Sequence, residues 1–338
     1  MAIVTGFLAV AALAAGPAAP APPTAQVLPT VYEAGHFYAV PETTDGQKLR
    51  LVVDTGGGGG GGLYWINEAA ANRLHLQVTD CTVDGQHLTV APLPAYRTGH
   101  TLPPPGAGPC GPVVLVNPKS DAISGDGQLG AGYLPGRIWT FDYPARRLTL
   151  ESNGWRPDPG AHATPLGFLH NARGRQATGF ARIVIHVDGQ PLDMLLDTGA
   201  TAHPTAAGEK ASGTPVTAQG YGVTSYITTS MLEHWHKAHP RWRVVEKGDD
   251  LRPEHPTRLI EVPTVDIAGW SVGPVWFTEQ PDFAYHEYMA KWMDKPTEGT
   301  VGGNVFKHFS MTLDYPREKA WFRCMRGCKA AATPPPAP

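Results

Sequence analysis

The feature that most constrains this chain is one strand-and-turn pattern that occurs twice. An apolar segment, residues 51–53 and again residues 195–196, runs directly into the same tripeptide. Each segment predicts a buried strand, and Asp-Thr-Gly predicts a tight turn at its end. The residues of the two turns are Asp54, Thr55 and Gly56 in the first copy, and Asp197, Thr198 and Gly199 in the second.

The repeat extends well beyond these tripeptides. A Gly-Pro-Val at residues 111–113 recurs at 273–275, Leu-Gly at 129–130 is matched by Val-Gly at 301–302, and Asp-Tyr-Pro at 142–144 recurs at 314–316. The offset grows from 143 at the Asp-Thr-Gly turns to 172 at Asp-Tyr-Pro, so the second copy carries 29 extra residues. One duplication of this length predicts two similar lobes, whereas a solenoid needs at least three shorter units.

Composition supports a mostly β chain. The 338 residues include Gly 39 and Pro 34, which indicates many turns between short strands. We predict two lobes that arise from one duplicated β-barrel-like unit, with few short helices near residues 67–76 and 225–238. The lobes are placed at residues 35–155 and 160–325. A net charge of -3 without a basic run argues against nucleic acid as a partner.

The two termini are assigned separately. Residues 1–25 begin with an apolar run too short to span a bilayer and predict an export signal, although no Lys or Arg precedes the run. We expect no stable membrane span and a periplasmic or secreted location. Residues 26–34 are predicted as a linker, and residues 329–338 as a disordered Pro/Ala tail.

Cysteine usage agrees with export. An even set of four cysteines is consistent with two disulfides, and four cysteines allow three pairings. The pairs Cys81–Cys110 and Cys324–Cys328 keep each loop local. The spacing of these cysteines does not favour zinc.

Two facing aspartates predict a specific chemistry. Burial disfavours a charged carboxylate, and two adjacent carboxyl groups cannot both ionise easily, so we expect Asp54 and Asp197 to share one proton. The ionised member can draw a proton from water, and the protonated member can donate to a carbonyl oxygen. The turn glycines, Gly56 and Gly199, would let the two lobes approach closely.

The chain resembles the aspartic peptidases, the pepsin-like and retropepsin-like group, and among them bacterial retropepsin-like proteins with two lobes in one chain. The resemblance spans residues 35–323 and implies an acid-protease fold and endopeptidase activity. It implies Asp54 and Asp197 as catalytic residues, with Thr55, Gly56, Thr198 and Gly199 in support. It also implies a monomer, a peptide or protein substrate, and no metal or organic cofactor.

Other interpretations remain open at this point. Gly57 offers no hydroxyl group to Asp54, and residues 56–62 are all glycine, so the same fold could be a weak or inactive peptide-binding protein. A purely structural envelope protein is the third interpretation. The apolar stripe at residues 285–293 predicts core packing, and His234, His236 and His239 do not share a helical face as metal ligands would.

Overall fold

A computed structural model describes residues 24–58, 62–83, 85–106, 110–118, 123 and 125–332, without the side chain of residue 86. The first half of the chain forms β1 (Gln26–Val27), β2 (Thr30–Glu33), β3 (His36–Ala39), β4 (Leu51–Asp54), β5 (Trp65–Asn67), β6 (Thr79–Val83), β7 (Gln86–Pro92), β8 (Val113–Asn117), β9 (Gly127–Gly130), β10 (Ile138–Asp142) and β11 (Arg147–Leu150).

The second half forms β12 (Ala161–Pro165), β13 (Arg182–Val187), β14 (Gln190–Leu196), β15 (Thr201–Ala202), β16 (Gly222–Val223), β17 (Ser225–Thr228), β18 (Val244–Asp249), β19 (Thr257–Val262), β20 (Val265–Ile267), β21 (Trp270–Val272), β22 (Val275–Gln280), β23 (Gly299–Val301), β24 (Phe309–Asp314), β25 (Lys319–Cys324) and β26 (Lys329–Ala330).

Helices are few and short. They are α1 (Glu68–Arg73), α2 (Ala206–Ser212), α3 (Thr229–Ala238) and α4 (Gly303–Phe306), with a π-helical turn at Ala284–Tyr288 and 3-10 turns at Met289–Lys291 and Tyr315–Arg317. The helices predicted near residues 67–76 and 225–238 are confirmed as α1 and α3. The predicted start of α3 differs because residues 225–228 are the strand β17 that leads into this helix.

Two sheets carry the repeat. An eight-stranded sheet has the order β2-β3-β4-β9-β5-β8-β7-β6, and a ten-stranded sheet has the order β18-β19-β22-β17-β23-β14-β13-β20-β21-β26. In each sheet the strand that ends in Asp-Thr-Gly lies beside the strand of the apolar-Gly pair, parallel to it: β4 beside β9, and β14 beside β23. The side chains of residues 51–53 are fully buried, as expected for a strand covered on both faces.

A six-stranded sheet joins the two halves of the chain. Its order is β1-β11-β10-β24-β25-β12, and its centre is the antiparallel pair β10 and β24, which come from the two Asp-Tyr-Pro copies. Thr140 and Thr312 face each other across this pair, with 2.8 Å between their hydroxyl oxygens. The repeated segments therefore pair with each other, in one sheet that contains strands from both halves of the chain.

The predicted fold class, mostly β with few short helices, is confirmed. The strands of the described residues form open sheets rather than closed barrels. The linker prediction for residues 26–34 is wrong, because these residues carry β1 and β2, and each adds to an existing sheet edge. Residue 330 belongs to β26, so the tail prediction is also wrong there; residues 333–338, like the start of the predicted export signal, lie outside the described residues.

The local disulfide pairing is confirmed. Cys81 is bonded to Cys110 and Cys324 to Cys328. No helix among the described residues is long and apolar enough to cross a membrane.

The two disulfides should differ in their effect on stability. Replacing Cys81 and Cys110 together by Ser should lower the free energy of unfolding by about 3 kcal/mol, since that bond closes the longer loop of the unfolded chain. The matched control is the double substitution Cys324→Ser with Cys328→Ser. It removes a disulfide that closes a loop with a sequence separation of only 4, so the loss should be about 1 to 2 kcal/mol smaller. Denaturant unfolding measures both losses, and the reverse order would contradict the loop argument.

Candidate functional site

The two Asp-Thr-Gly turns meet, and their carboxyl groups are hydrogen-bonded to each other. A Cβ atom built on Gly56 would lie 2.2 Å from Cγ of Asp197, and one built on Gly199 would lie 2.2 Å from Cγ of Asp54. Each glycine thus lies against the carboxyl group of the opposite turn. Any side chain at either position would force the two carboxyl groups apart.

The two threonines hold the turns together. Thr55 Oγ1 donates to the carbonyl of Leu196 at 2.8 Å and accepts from Thr198 N at 3.0 Å. In the reciprocal arrangement, Thr198 Oγ1 donates to the carbonyl of Val53 at 2.7 Å and accepts from Thr55 N at 3.2 Å. Both side chains are buried, so these four bonds satisfy backbone groups that water cannot reach.

The carboxyl groups differ in their surroundings. Gly56 N donates to Asp54 Oδ1 at 2.9 Å, and Gly199 N donates to Asp197 Oδ1 at 2.8 Å. Asp54 is half-buried, whereas Asp197 is only 9% exposed. Burial raises the pKa of Asp197, although its bond to Asp54 and the surrounding backbone N–H groups lower it in part. Asp197 therefore keeps a proton above the ordinary range of an aspartate.

A side-chain amide contacts the other carboxyl group. Gln128 Nε2 donates to Asp54 Oδ2 at 2.6 Å, and Trp65 Nε1 fixes this amide by donating to Gln128 Oε1 at 3.0 Å. A Cβ on Gly57 would lie 2.3 Å from Asp54 Oδ2 and 2.4 Å from Gln128 Nε2. Because Gly57 has no side chain, the amide of Gln128 can occupy the space beside Asp54. The Asp54 carboxylate therefore accepts a hydrogen bond from a side chain even though Gly57 has no hydroxyl group.

The second turn is held from both sheets. Tyr226 hydroxyl donates to the carbonyl of Thr201 and accepts from Thr201 N. From the eight-stranded sheet, His36 Nε2 lies 3.2 Å from Thr201 Oγ1, which itself donates to the carbonyl of Gly199 at 2.7 Å. His36 is fully buried. This burial lowers its pKa to about 4, so the imidazole is neutral at ordinary pH.

A cavity of about 700 Å³ adjoins the first turn. The backbone of residues 56–58 forms one wall, Phe180 lies on another, and Tyr288 and Trp292 stand at its rim, both about half exposed. None of the described residues that line it is charged. The prediction of core packing for the stripe at 285–293 is therefore only partly right: Tyr285 and Met293 are buried, whereas these two aromatic residues face the cavity.

Sequence reasoning found the two aspartates, the two threonines and the two glycines, and the structure brings all six together. Their catalytic and supporting roles stay a prediction. Sequence reasoning missed Gln128, Trp65 and His36. Gln128 does have a sequence signal, because a glutamine directly before a Leu-Gly pair beside the aspartate strand can reach the carboxyl group. The contacts of Trp65 and His36 depend on tertiary packing and have no such signal. Among the described residues no group of three His, Cys, Asp or Glu side chains could hold a metal ion.

Removing either threonine hydroxyl should destabilise the protein strongly. Thr55→Val and Thr198→Val each leave a buried carbonyl and a buried N–H without a partner, which should lower the free energy of unfolding by about 3 kcal/mol. Thr140→Val is the matched control, because it removes a single hydroxyl–hydroxyl hydrogen bond outside the turns. It should lower the free energy of unfolding by less. Denaturant unfolding measures each effect, and equal losses in all three variants would contradict a special role for the turns.

Acid should weaken the fold through His36. Well above pH 6.5 the imidazole is neutral in both the folded and the unfolded protein. As the pH falls towards 4, the unfolded chain binds a proton on this residue that the folded chain does not bind. This difference should reduce the free energy of unfolding by about 3 kcal/mol at pH 4. His36→Gln should lose correspondingly less stability between pH 7 and pH 4. Asp197, whose raised pKa acts in the opposite direction, is present in both proteins, so identical pH profiles would contradict this assignment.

Comparisons with known proteins return little. No family model matches the chain, and no curated protein matches it. Among solved structures, the crystal structure of basic 7S globulin from soybean matches with a TM-score of 0.43 at 12% sequence identity. The match covers 89% of this chain and 94% of that chain. A likeness at this level does not establish a family.

These findings correct the interpretation drawn from the motifs. The matched protein is named as a globulin, and no family model or curated protein matches that would show membership in the aspartic peptidases. The predictions of that family, of endopeptidase activity and of an inactive peptide-binding relative find no support in these comparisons and are not retained. Of the properties predicted with them, the two disulfides are the part that stands.

Proposed function

We propose that this protein binds a small neutral ligand that carries a hydroxyl group on an apolar body. The hydroxyl group would lie against the carboxyl pair of Asp54 and Asp197, and the apolar body would occupy the adjoining cavity. The observation that carries this proposal is the hydrogen-bonded pair of unequal carboxyl groups beside an uncharged cavity.

The chemistry of the pair suits a hydroxyl group. With one proton held at Asp197, a hydroxyl group that enters between the two acids can replace their mutual hydrogen bond, because it can accept from Asp197 and donate to Asp54. A ligand that carries a carboxylate would be repelled by the negative charge that remains on the pair. Gly56 N and Gln128 Nε2 already hold the Asp54 carboxylate in place, so little ordering is required when a ligand arrives.

The cavity sets the remaining chemistry of the ligand. Its volume of about 700 Å³ lies in the range of small-molecule sites, and its lining is glycine backbone, apolar side chains and a few neutral polar groups. Tyr288 and Trp292 present half-exposed rings at the rim, where a flat apolar group can pack. A charged body would lose hydration there without gaining a partner.

We also propose that the protein works outside the cytoplasm. Its two disulfides support an oxidising compartment, and the apolar N-terminal run is typical of an export signal.

A matched set of probes tests the binding proposal. We expect 2-(2-naphthyl)ethanol to bind about tenfold more tightly than 2-ethylnaphthalene, which lacks the hydroxyl group, and more tightly than 2-naphthylacetate, which is an anion. Binding should weaken as the pH rises through the raised pKa of Asp197, because the donor is then lost. Isothermal titration calorimetry measures the affinities.

Variants separate the carboxyl pair from the cavity. Asp54→Asn and Asp197→Asn should each abolish the preference for the alcohol, while Trp292→Ala should weaken alcohol and hydrocarbon alike. Equal affinity for the alcohol and the hydrocarbon in the parent protein would sink the proposal. So would hydrolysis of a mixed peptide library that disappears in both aspartate variants, since the pair would then be a catalyst rather than a ligand holder.

A further inference from the structure

We infer that His36 is a positioning residue that seals the second turn and thereby fixes the shared proton on Asp197 rather than on Asp54. The inference rests on the carboxyl pair being the functional site, but its test observes the carboxyl groups directly and needs no ligand.

The strand registers identify the counterpart of His36. Tyr38 pairs with Val52, two residues before Asp54, and Arg182 pairs with Leu195, two residues before Asp197. Two residues before these partners stand His36 and Phe180, so they occupy equivalent positions in the repeat. Each of them lies near the Asp-Thr-Gly turn that belongs to the opposite sheet.

The two equivalent positions are filled differently. Phe180 is partly exposed and borders the cavity beside the glycines that follow Asp54. His36 is fully buried, and its ring lies against the backbone of Gly199 and Ala200 as well as the hydroxyl of Thr201. The glycines that follow Asp54 therefore border a cavity, whereas the backbone that follows Asp197 is covered by the imidazole.

The hydrogen bonds of Thr201 determine which ring nitrogen of His36 carries the proton. Because the Thr201 hydroxyl donates to the carbonyl of Gly199, its oxygen accepts from His36, which must carry its proton on Nε2. Nδ1 has no hydrogen-bond partner among the described residues. A neutral ring with one satisfied donor braces the turn without placing a charge beside Asp197.

Closure on this side accounts for the unequal carboxyl groups. The raised pKa of Asp197 comes chiefly from burial, and His36 packs against the backbone of Gly199 and Ala200, which directly follows Asp197. Asp54 instead receives the amide of Gln128 at 2.6 Å. Water that entered through the place of His36 would reduce the burial of Asp197 and remove the reason for its proton.

Other titratable groups near the pair cannot produce this asymmetry at ordinary pH. Tyr143, Tyr226 and Tyr285 face Asp197, and burial raises the pKa of each, so all three stay neutral. Arg50 faces His36, but it is paired with Glu33 and further disfavours a charged imidazole. Burial and the bond to Asp54 thus remain as the main influences on Asp197, and His36 contributes through the burial of the turn that follows this residue.

The test is a carboxyl titration. Protein labelled with [4-¹³C]aspartate, with the Asp197 resonance identified by Asp197→Asn, should show the upper apparent pKa of the pair falling by about one unit in His36→Ala. His36→Gln, which keeps a neutral donor at this position, should restore the parent titration. His308→Ala, a half-buried histidine whose ring bonds to the carbonyl of Arg326, is the matched control and should leave the titration unchanged.

Clear outcomes decide the inference. A folded His36→Ala protein whose aspartates titrate as in the parent would overturn it, as would an equal shift in His36→Gln. If His36→Ala does not fold, Thr201→Val serves in its place, because it removes the accepting hydroxyl but preserves the volume, and it must lower the same pKa. Failure of the naphthyl probes to bind would reject the proposed function and leave this titration unaffected.

Discussion

The arrangement depends on a reciprocal exchange of hydrogen bonds between Thr55 and Thr198. Each hydroxyl serves a carbonyl and an N–H of the opposite turn, in a region that water does not reach. Since an unpaired buried backbone group costs about 1 to 3 kcal/mol, neither turn can shift without the other. The carboxyl groups are therefore held in contact by bonds that do not involve the carboxyl groups themselves. Two buried acids that repel each other when ionised can persist as a pair because the backbone around them is fixed first.

Duplication explains why the two turns resemble each other, and departures from duplication explain why they behave differently. Gly57 leaves room for Gln128 beside Asp54, whereas the equivalent residue of the second turn, Ala200, carries a methyl group. His36 and Phe180 fill matched positions with a buried hydrogen-bonding ring in one case and the wall of a cavity in the other. Small differences of this kind are enough to give one shared proton a preferred position, and a polarised pair can distinguish a donor from an acceptor in a ligand.

Periodicity and spacing were sufficient to predict the mostly β class, the short helices α1 and α3, both disulfides and the six residues of the two turns. These features are local, or repeat at a constant offset, so they leave a signal in one sequence. The linker prediction for residues 26–34 was wrong because β1 and β2 are defined by the sheet edges on which they pair. Sequence reasoning missed His36, since its contacts are with a turn 163 or more residues away that no local pattern indicates. An Asp-Thr-Gly turn specifies a geometry and a protonation state but not a reaction, so the motif alone does not establish a family.

A pair of carboxyl groups can bind or catalyse, and its surroundings decide which. Water activation requires a carboxylate free to take a proton from a water held between the acids, together with a group that grips the substrate on both sides. Here one oxygen of Asp54 accepts from Gln128 at 2.6 Å, and His36 lies against the turn that follows Asp197. The glycines that follow Asp54 border an uncharged cavity whose lining includes two half-exposed aromatic rings. A ligand that presents a hydroxyl group to the pair, as we propose, suits these surroundings, and its binding requires no covalent bond to be broken.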